Sequence, residues 1–376
     1  MSNSWSRMDP DGLQEYSVVY TDRALNHMSA RFQGVLTEIS ALLKQVYMAR
    51  SAIIVPGSGT FGMEAVARQF AADESVLIIR NGWFSYRWTQ ILDKGAIASK
   101  STVLQARRQV DGAQQPFRPA PIDEVVARIE RERPAVVFAP HTETSAGMLL
   151  PADYLRAVGT ATREAGGLFV LDCIASGTDW VDMQDCNVDV LISAPQKGWS
   201  ASPCCAMVML GERARERIET TTSSSYACDL RKWLEIIEAY EAGGHAYHAT
   251  MPTDGLVRLL EMMHETRAFG FDVIREQQLE LGRRIRATLE SHGFPSVAAQ
   301  GFQASGVIVS YTEDPDIQSG RRFVEAGVQI AGGVPLMCDE GDDFRSFRVG
   351  LFGLDKLEQI DKAVARFEDA LNQITR

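Results

Sequence analysis

The sequence predicts an α/β protein: a large domain with a mainly parallel sheet and a small α+β domain at its C-terminal end. Two observations carry that reading. Between residues 51 and about 250, short apolar runs alternate with stretches of helical spacing. Beyond residue 292 the rhythm changes to two apolar runs and two helical stretches. Short apolar strands separated by amphipathic helices require a sheet covered on both faces, the environment of parallel strands.

Taken in order, residues 23–47 place Leu25, Met28, Phe32, Leu36, Ile39, Leu42, Leu43 and Val46 on one helical face. SAIIVP (51–56) is a first strand, GSGT a turn and 61–71 a helix. SVLIIR (75–80) is a second strand, with helical spacing over 83–93. AVVFAP (135–140) and GLFVLD (167–172) flank a helix at 152–165, and VDVLIS (188–193) and CAMVML (205–210) complete the strands. A helix over 256–292, with Leu256, Leu259, Leu260, Met263, Phe271, Ile274, Leu279, Leu281, Ile285 and Leu289 in register, is long enough to link domains. GVIVSY (306–311), a helix at 317–326, SFRVGLF (346–352) and a helix at 355–373 form the small domain. The expected division is an N-terminal segment and helix over 1–50, a large domain over 51–255, and linking helix plus small domain over 256–376. Turn-rich stretches at 107–121, 220–230 and 332–344 are candidate functional loops.

The 376 residues are 45% hydrophobic and 23% charged, a globular composition. A net charge of -11 argues against nucleic acid and against anionic membranes, since both need a basic face. The six cysteines form no C-x-x-C pair, which points to buried thiols in a reducing compartment. No signal core and no 18-residue apolar run is present, so a cytoplasmic location is expected.

Three features carry chemistry. Gly57-Ser58-Gly59-Thr60-Phe61-Gly62 follows a strand and opens a helix, so its N–H groups could hold a phosphate. Read as G-x-G-x-x-G it is also a dinucleotide fingerprint, but the acid expected about 20 residues on, at the end of a second strand, is missing: Asp73 and Glu74 come early and Arg80 follows the strand. A tight strand-to-helix turn is the plainer alternative. Asp172 ends the strand GLFVLD, where α/β folds bind ligands or where a carboxylate caps a helix. Lys197, in SAPQKGWS after VDVLIS, is either an ordinary surface lysine or a desolvated amine available as a nucleophile. Together a phosphate-binding turn, a strand-end carboxylate and a lysine 25 residues beyond it are what pyridoxal phosphate requires. NAD would explain only the first.

Five segments then resemble a known family: PGSGTFGMEA (56–65), RNGWFSYR (80–87), HTETSAGML (141–149), VLDCIAS with VDVLISAPQKG (170–198), and SFRVGLFG (346–353). They are similar to class V aminotransferases of the pyridoxal-phosphate-dependent fold type I, in the branch of alanine–glyoxylate, serine–pyruvate and 2-aminoethylphosphonate aminotransferases. The resemblance implies that Lys197 forms the Schiff base with the cofactor and that Asp172 partners its pyridine nitrogen. It implies Ser58, Gly59 and Thr60 as the phosphate cup with Gln196 beside it, Phe84 (or its neighbour Trp83) as the stacking ring, and Thr144 as a ring contact. Arg348 matches the arginine that binds the substrate carboxylate. HAYHATMP (245–252) resembles a segment that reaches a neighbouring subunit's site, with Tyr247 and Thr250 on the partner's phosphate, which implies a homodimer. A metal at its two histidines is not expected, because no carboxylate or cysteine stands at ligand spacing.

The chain departs from the family in opening with EYSVVYTDRALNHMS (15–29) instead of a P-G-P turn, in Pro195 before Gln196, and in Pro203-Cys204 after the lysine loop. Tyr16, Tyr20, Asn26 and His27 are therefore candidate substrate contacts, or equally part of a segment docked on the core. The expected activity is transfer of an amino group between a small amino acid, such as alanine or serine, and a 2-oxo acid such as glyoxylate or pyruvate. A lyase or aldolase cutting at Cβ is the alternative on the same cofactor. A desulfurase would need an exposed nucleophilic cysteine, and only Cys338 is placed for it. A fold-type-I protein without turnover is the non-enzymatic alternative, against which Asp172, Lys197 and Arg348 argue.

Overall fold

The computed structural model describes residues 8–110 and 112–375. The first seven residues of the predicted N-terminal segment, residue 111 of the 107–121 loop and the last residue lie outside the described residues. The strands are β1 (Ser51–Pro56), β2 (Ser75–Arg80), β3 (Lys100–Gln105), the short pair β4 (Arg107–Arg108) and β5 (Phe117–Arg118), β6 (Val136–Pro140), β7 (Leu168–Asp172), β8 (Val190–Ser193), β9 (Cys205–Leu210), β10 (Val307–Tyr311), β11 (Ala331–Gly332) and β12 (Ser346–Gly350).

Seven strands form the main sheet in the order β1-β9-β8-β7-β6-β2-β3. Neighbours from β8 to β3 pair in parallel, whereas β9 runs antiparallel to both β1 and β8. The sheet is thus mainly parallel, as its apolar runs predict. β6, β7, β8 and β9 are buried at every position, because helices cover both faces. A second sheet, β10-β12-β11, is antiparallel. Buried apolar side chains gather into one large cluster running from Leu25 to Met263, a second from Ile274 to Ile374, and a smaller third that includes Phe117, Met148, Val309 and Leu336.

Several boundaries differ from the sequence expectation, each for a local reason. The first helix is Ala30–Tyr47, not 23–47: the Asn26 side chain accepts from the Met28 N–H at 2.8 Å and Ser29 caps the Phe32 N–H at 3.1 Å, so residues 26–29 turn instead. The predicted helix 256–292 is two helices, Thr253–Phe269 and Phe271–Ser291, broken at Gly270. The stretch 317–326 likewise splits into Pro315–Gln318 and Arg321–Glu325 around Gly320, and 355–373 into Leu354–Glu358 and Ile360–Ile374. β3 and the helices Ile122–Glu132 and Leu230–Glu241 have no counterpart in the sequence reading.

The helix Trp83–Lys94 starts at the carboxyl edge of β2, the edge to which parallel strands bring their loops. Its fully buried Trp88 stacks on Phe138 of β6, ring centroids 4.2 Å apart. That contact sets the helix's depth on the sheet. Trp88→Ala is expected to cost about 3–5 kcal/mol of unfolding free energy, measured by denaturant titration; a loss under about 1 kcal/mol would show that the helix is anchored elsewhere.

Candidate active site

Parallel strands deliver their carboxyl ends to one edge of the sheet. β1 ends there at Pro56, β2 at Arg80, β6 at Pro140, β7 at Asp172 and β8 at Ser193. In register, Pro140 pairs with Asp172 and Asp172 with Ile192, so the loops after β6, β7 and β8 leave side by side. Between them lies a cavity of about 170 Å³ lined by Ser58, Gly59, Thr60, Phe84, Arg87, Thr142, Thr144, Asp172, Ile174, Ala175, Gln196 and Lys197.

Eight sequence-predicted residues therefore face one space: Ser58, Gly59, Thr60, Phe84, Thr144, Asp172, Gln196 and Lys197. Phe84 lines the cavity, while its alternative Trp83 packs on Tyr86 with centroids 5.8 Å apart. Arg348, on β12, brings its guanidinium to 5.6 Å from the Phe84 ring centroid and anchors Nε on the Gly332 carbonyl at 2.8 Å, so it borders the cavity from the second sheet.

The electrostatics follow from burial. Asp172 is buried, and its carboxylate accepts from the Ile174 N–H at 3.0 Å. Desolvation pushes its carboxyl up to about 6; Glu143 adds to the rise, and Arg87 and Lys197 oppose it. Burial, then the nearby charge of Arg348, lowers the Lys197 ammonium below its ordinary range, with Asp172 holding it back. The lowered amine is the more available nucleophile and base. Lys197 Nζ also stands 5.1 Å from the Phe352 ring centroid. Gly198 after it passes so close to the Gly177 carbonyl that an added Cβ would lie 1.9 Å from that oxygen, which keeps the lysine loop against the sheet edge.

The cavity fits a phosphate-bearing cofactor on three observations. Ser58 caps the helix Gly59–Phe70 without a side-chain cap bond, leaving its hydroxyl and the first N–H groups for an anion. The buried Gln196 Oε1 has no hydrogen-bond partner. Arg87 donates to the Thr60 hydroxyl at 3.0 Å and brings positive charge to that end. Sequence reasoning missed Arg87, although it stands three residues after Phe84, the spacing at which helical side chains meet; its guanidinium lies 5.2 Å from that ring. It also missed Thr142, Ile174 and Ala175.

Other candidates lie outside the cavity. The Tyr247 hydroxyl and the Thr250 Oγ1 bond each other at 3.0 Å on an exposed stretch. Tyr20 donates to the Met251 carbonyl at 3.2 Å, Asn26 to the Glu15 carboxylate at 2.8 Å, and His27 is buried against Tyr20 and Tyr247; Tyr16 is exposed. The segment thus docks on the 245–254 stretch. Cys338 is buried, and burial pushes its thiol far up, so it is no exposed nucleophile. Among the described residues no group of three or more His, Cys, Asp or Glu could hold a metal, and no helix is long and apolar enough to cross a membrane.

Residues 11–330 match the sequence profile of the family described as aminotransferase class-V. The chain is 27% identical over 339 residues to alanine–glyoxylate aminotransferase 1 of Saccharomyces cerevisiae, covering 83% of this chain and 82% of that protein. It is 23% identical over 356 residues to a protein named soluble hydrogenase, small subunit, of a Synechococcus strain, covering 93% and 88%. Its fold superposes on an alanine–glyoxylate aminotransferase of Nostoc sp. with a TM-score of 0.79 at 22% identity, over 94% of this chain and 89% of that one.

A raised acid makes folding favour its protonated form, so Asp172 withdraws stability as pH rises past the ordinary carboxylate value and through about 6. Asp172→Asn removes that penalty and keeps an acceptor for the Ile174 N–H. The cofactor-free variant should be more stable than its parent by about 2–3 kcal/mol at pH 8 and equal near pH 4. Parallel stability–pH curves for the two proteins would contradict the assigned burial of Asp172.

Proposed function

The chain belongs to the class-V aminotransferase family, and we propose that it moves an amino group between a small amino acid, such as alanine or serine, and a 2-oxo acid such as glyoxylate or pyruvate, on pyridoxal phosphate. One observation carries the reading: the desolvated Lys197 amine and the buried Asp172 carboxylate face the same cavity as the open helix N-terminus at Ser58–Thr60. The glyoxylate in the names of the yeast and Nostoc proteins supports that acceptor.

Ser58, Gly59, Thr60 and Gln196 would hold the phosphate, Phe84 would stack on the ring, Thr144 would contact it, and Asp172 would accept from the protonated ring nitrogen. Bound there, pyridoxal phosphate supplies an electron sink for breaking a bond at an amino acid's Cα. The chain's own residues do the rest. The Arg348 fork holds the substrate carboxylate and fixes its orientation. The Lys197 Nζ would carry the proton lifted from the substrate Cα across to the cofactor carbon, a role that suits an amine left neutral by its lowered proton affinity. Asp172, when ionised, would hold a proton on the ring nitrogen of the bound cofactor. Phe84 and Ile174 are apolar parts of the lining that exclude water.

A homodimer with shared sites is part of the proposal. Tyr247 and Thr250 are exposed and point to no part of their own chain's cavity, as residues serving a partner's phosphate would. Leu13, Tyr16 and Val18 in the N-terminal segment are exposed at 97%, 84% and 102%, an apolar surface that a second copy would cover. The six cysteines stand as free thiols, which suits a cytoplasmic protein.

The purified protein should show a visible absorption band that Lys197→Ala lacks, and that variant should not turn over. Retained activity in Lys197→Ala would remove the lysine from the chemistry, and release of an aldehyde in place of a 2-oxo acid would replace transamination by cleavage at Cβ. Arg348→Lys should raise KM for the amino donor about tenfold or more; unchanged kinetics would take Arg348 out of the site. The mass in solution should be near twice the 41.5 kDa chain. Tyr247→Phe and Thr250→Ala should weaken cofactor binding, and a monomer with unaltered binding would refute the shared site.

A further inference from the structure

Glu143 is fully buried in the loop that follows β6, and nothing in the reaction as proposed uses it. Its carboxylate accepts five hydrogen bonds from two separate elements. Oε1 takes the Phe84 N–H at 3.1 Å, the Ser145 N–H at 3.1 Å and the Ser145 hydroxyl at 2.7 Å. Oε2 takes the Ser85 N–H at 2.8 Å and the Ser85 hydroxyl at 2.6 Å. Each oxygen thus faces at least one backbone N–H, a group that can only donate. An amide here would set its NH2 against a backbone N–H in either orientation. The position is built for an anion at the first turn of a helix.

The two elements that Glu143 ties together both contribute to the cavity wall. The helix Trp83–Lys94 supplies Phe84 and Arg87, and the loop supplies Thr142 and Thr144. The junction is tight: a Cβ on Gly82 would lie 2.0 Å from the Ser145 hydroxyl and 2.8 Å from the Glu143 carboxyl carbon. Ser145 also accepts from the Trp83 N–H at 2.9 Å, so the same residue closes the seam from the loop side. The Glu143 charge further reaches Arg348, whose cation it supports against burial.

We propose that Glu143 is a positioning residue of the active site, a buried anion that locks the Phe84–Arg87 helix to the Thr142–Thr144 loop and so fixes the walls between which cofactor and substrate fit. The inference rests on the aminotransferase reading. A wall set wrongly weakens binding without removing a reacting group, so the effect falls on affinity before turnover.

The test is a titration of pyridoxal phosphate into the cofactor-free parent, Glu143→Gln, Glu143→Asp and Ser145→Ala, followed by tryptophan fluorescence and equilibrium dialysis, alongside kcat, KM and melting curves. Glu143→Gln is expected to raise the cofactor Kd by about tenfold or more and the amino-donor KM several-fold, with kcat at saturation changed less. Glu143→Asp keeps the charge but loses the reach, and should not restore the parent Kd. Values within about twofold of the parent in Glu143→Gln, with only the melting temperature lowered, would overturn the proposal, as would full rescue by Glu143→Asp. Should Glu143→Gln fail to fold, Ser145→Ala removes one donor at 2.7 Å and is expected to raise Kd about threefold or more, and an unchanged Kd there overturns it equally. A parent that binds no pyridoxal phosphate would instead sink the functional reading itself.

Discussion

The parallel pairing of β6, β7 and β8 is the constraint on which the rest of the site depends. Parallel strands cannot be joined by a tight turn, so β6 and β7 leave the sheet at their carboxyl ends into loops that cross over to the next strand, and β8 leaves at the same edge before the antiparallel β9. Because Asp172 pairs with Pro140 on one side and Ile192 on the other, the three departing loops are held in one row. Thr144 and Lys197 come from loops after β6 and β8 and Asp172 from the end of β7, yet the register places all three around one cavity. A slip of one residue in β7 would turn Asp172 to the opposite face of the sheet.

The charges assembled there are of both signs and share one difficulty. Lys197, Arg87 and Arg348 bring positive charge to the cavity or its border; Asp172 and Glu143 bring negative charge. Burial is the largest influence on three of them, which is why the Asp172 carboxyl is pushed up while the Lys197 and Arg348 cations are pushed down. A phosphate and a substrate carboxylate are the natural counter-charges for those cations, so binding them eases a cost that the fold itself imposes. Glu143 differs from the others in being fully satisfied by the protein, so its position does not wait on a ligand.

The sequence makes the sheet legible where strands are buried on both faces, as in VVFAP and LFVLD, because apolar runs then have no polar interruption. β3, KSTVLQ, lies at the sheet edge with two exposed positions and so lacks that signal. Helix breaks are the least legible feature: the apolar spacing of 256–292 continues across Gly270, and periodicity does not register a change of axis. In the site, Asp172 and Lys197 are legible because a charged residue at or just beyond the end of an apolar strand is conspicuous. Glu143 is not, since HTETS reads as a polar loop and only the fold reveals that five donors surround the carboxylate.

The antiparallel strand β9 carries a consequence for how the chain is made. Among the described residues β1 pairs in the sheet with β9 alone, with Ser51 opposite Leu210 and Pro56 opposite Cys205. During synthesis roughly 150 residues must emerge after β1 before that partner exists, a separation that slows closure and leaves an apolar edge waiting. Of the helices that pack on β1, Ala30–Tyr47 and Gly59–Phe70 then already exist to shield Ile53, Ile54 and Val55, whereas Leu230–Glu241 has still to emerge. The early helix is therefore a guardian of the nascent strand as well as a layer of the finished core. A ribosome stalled before residue 210 would display a fragment whose first strand has a cover but no mate.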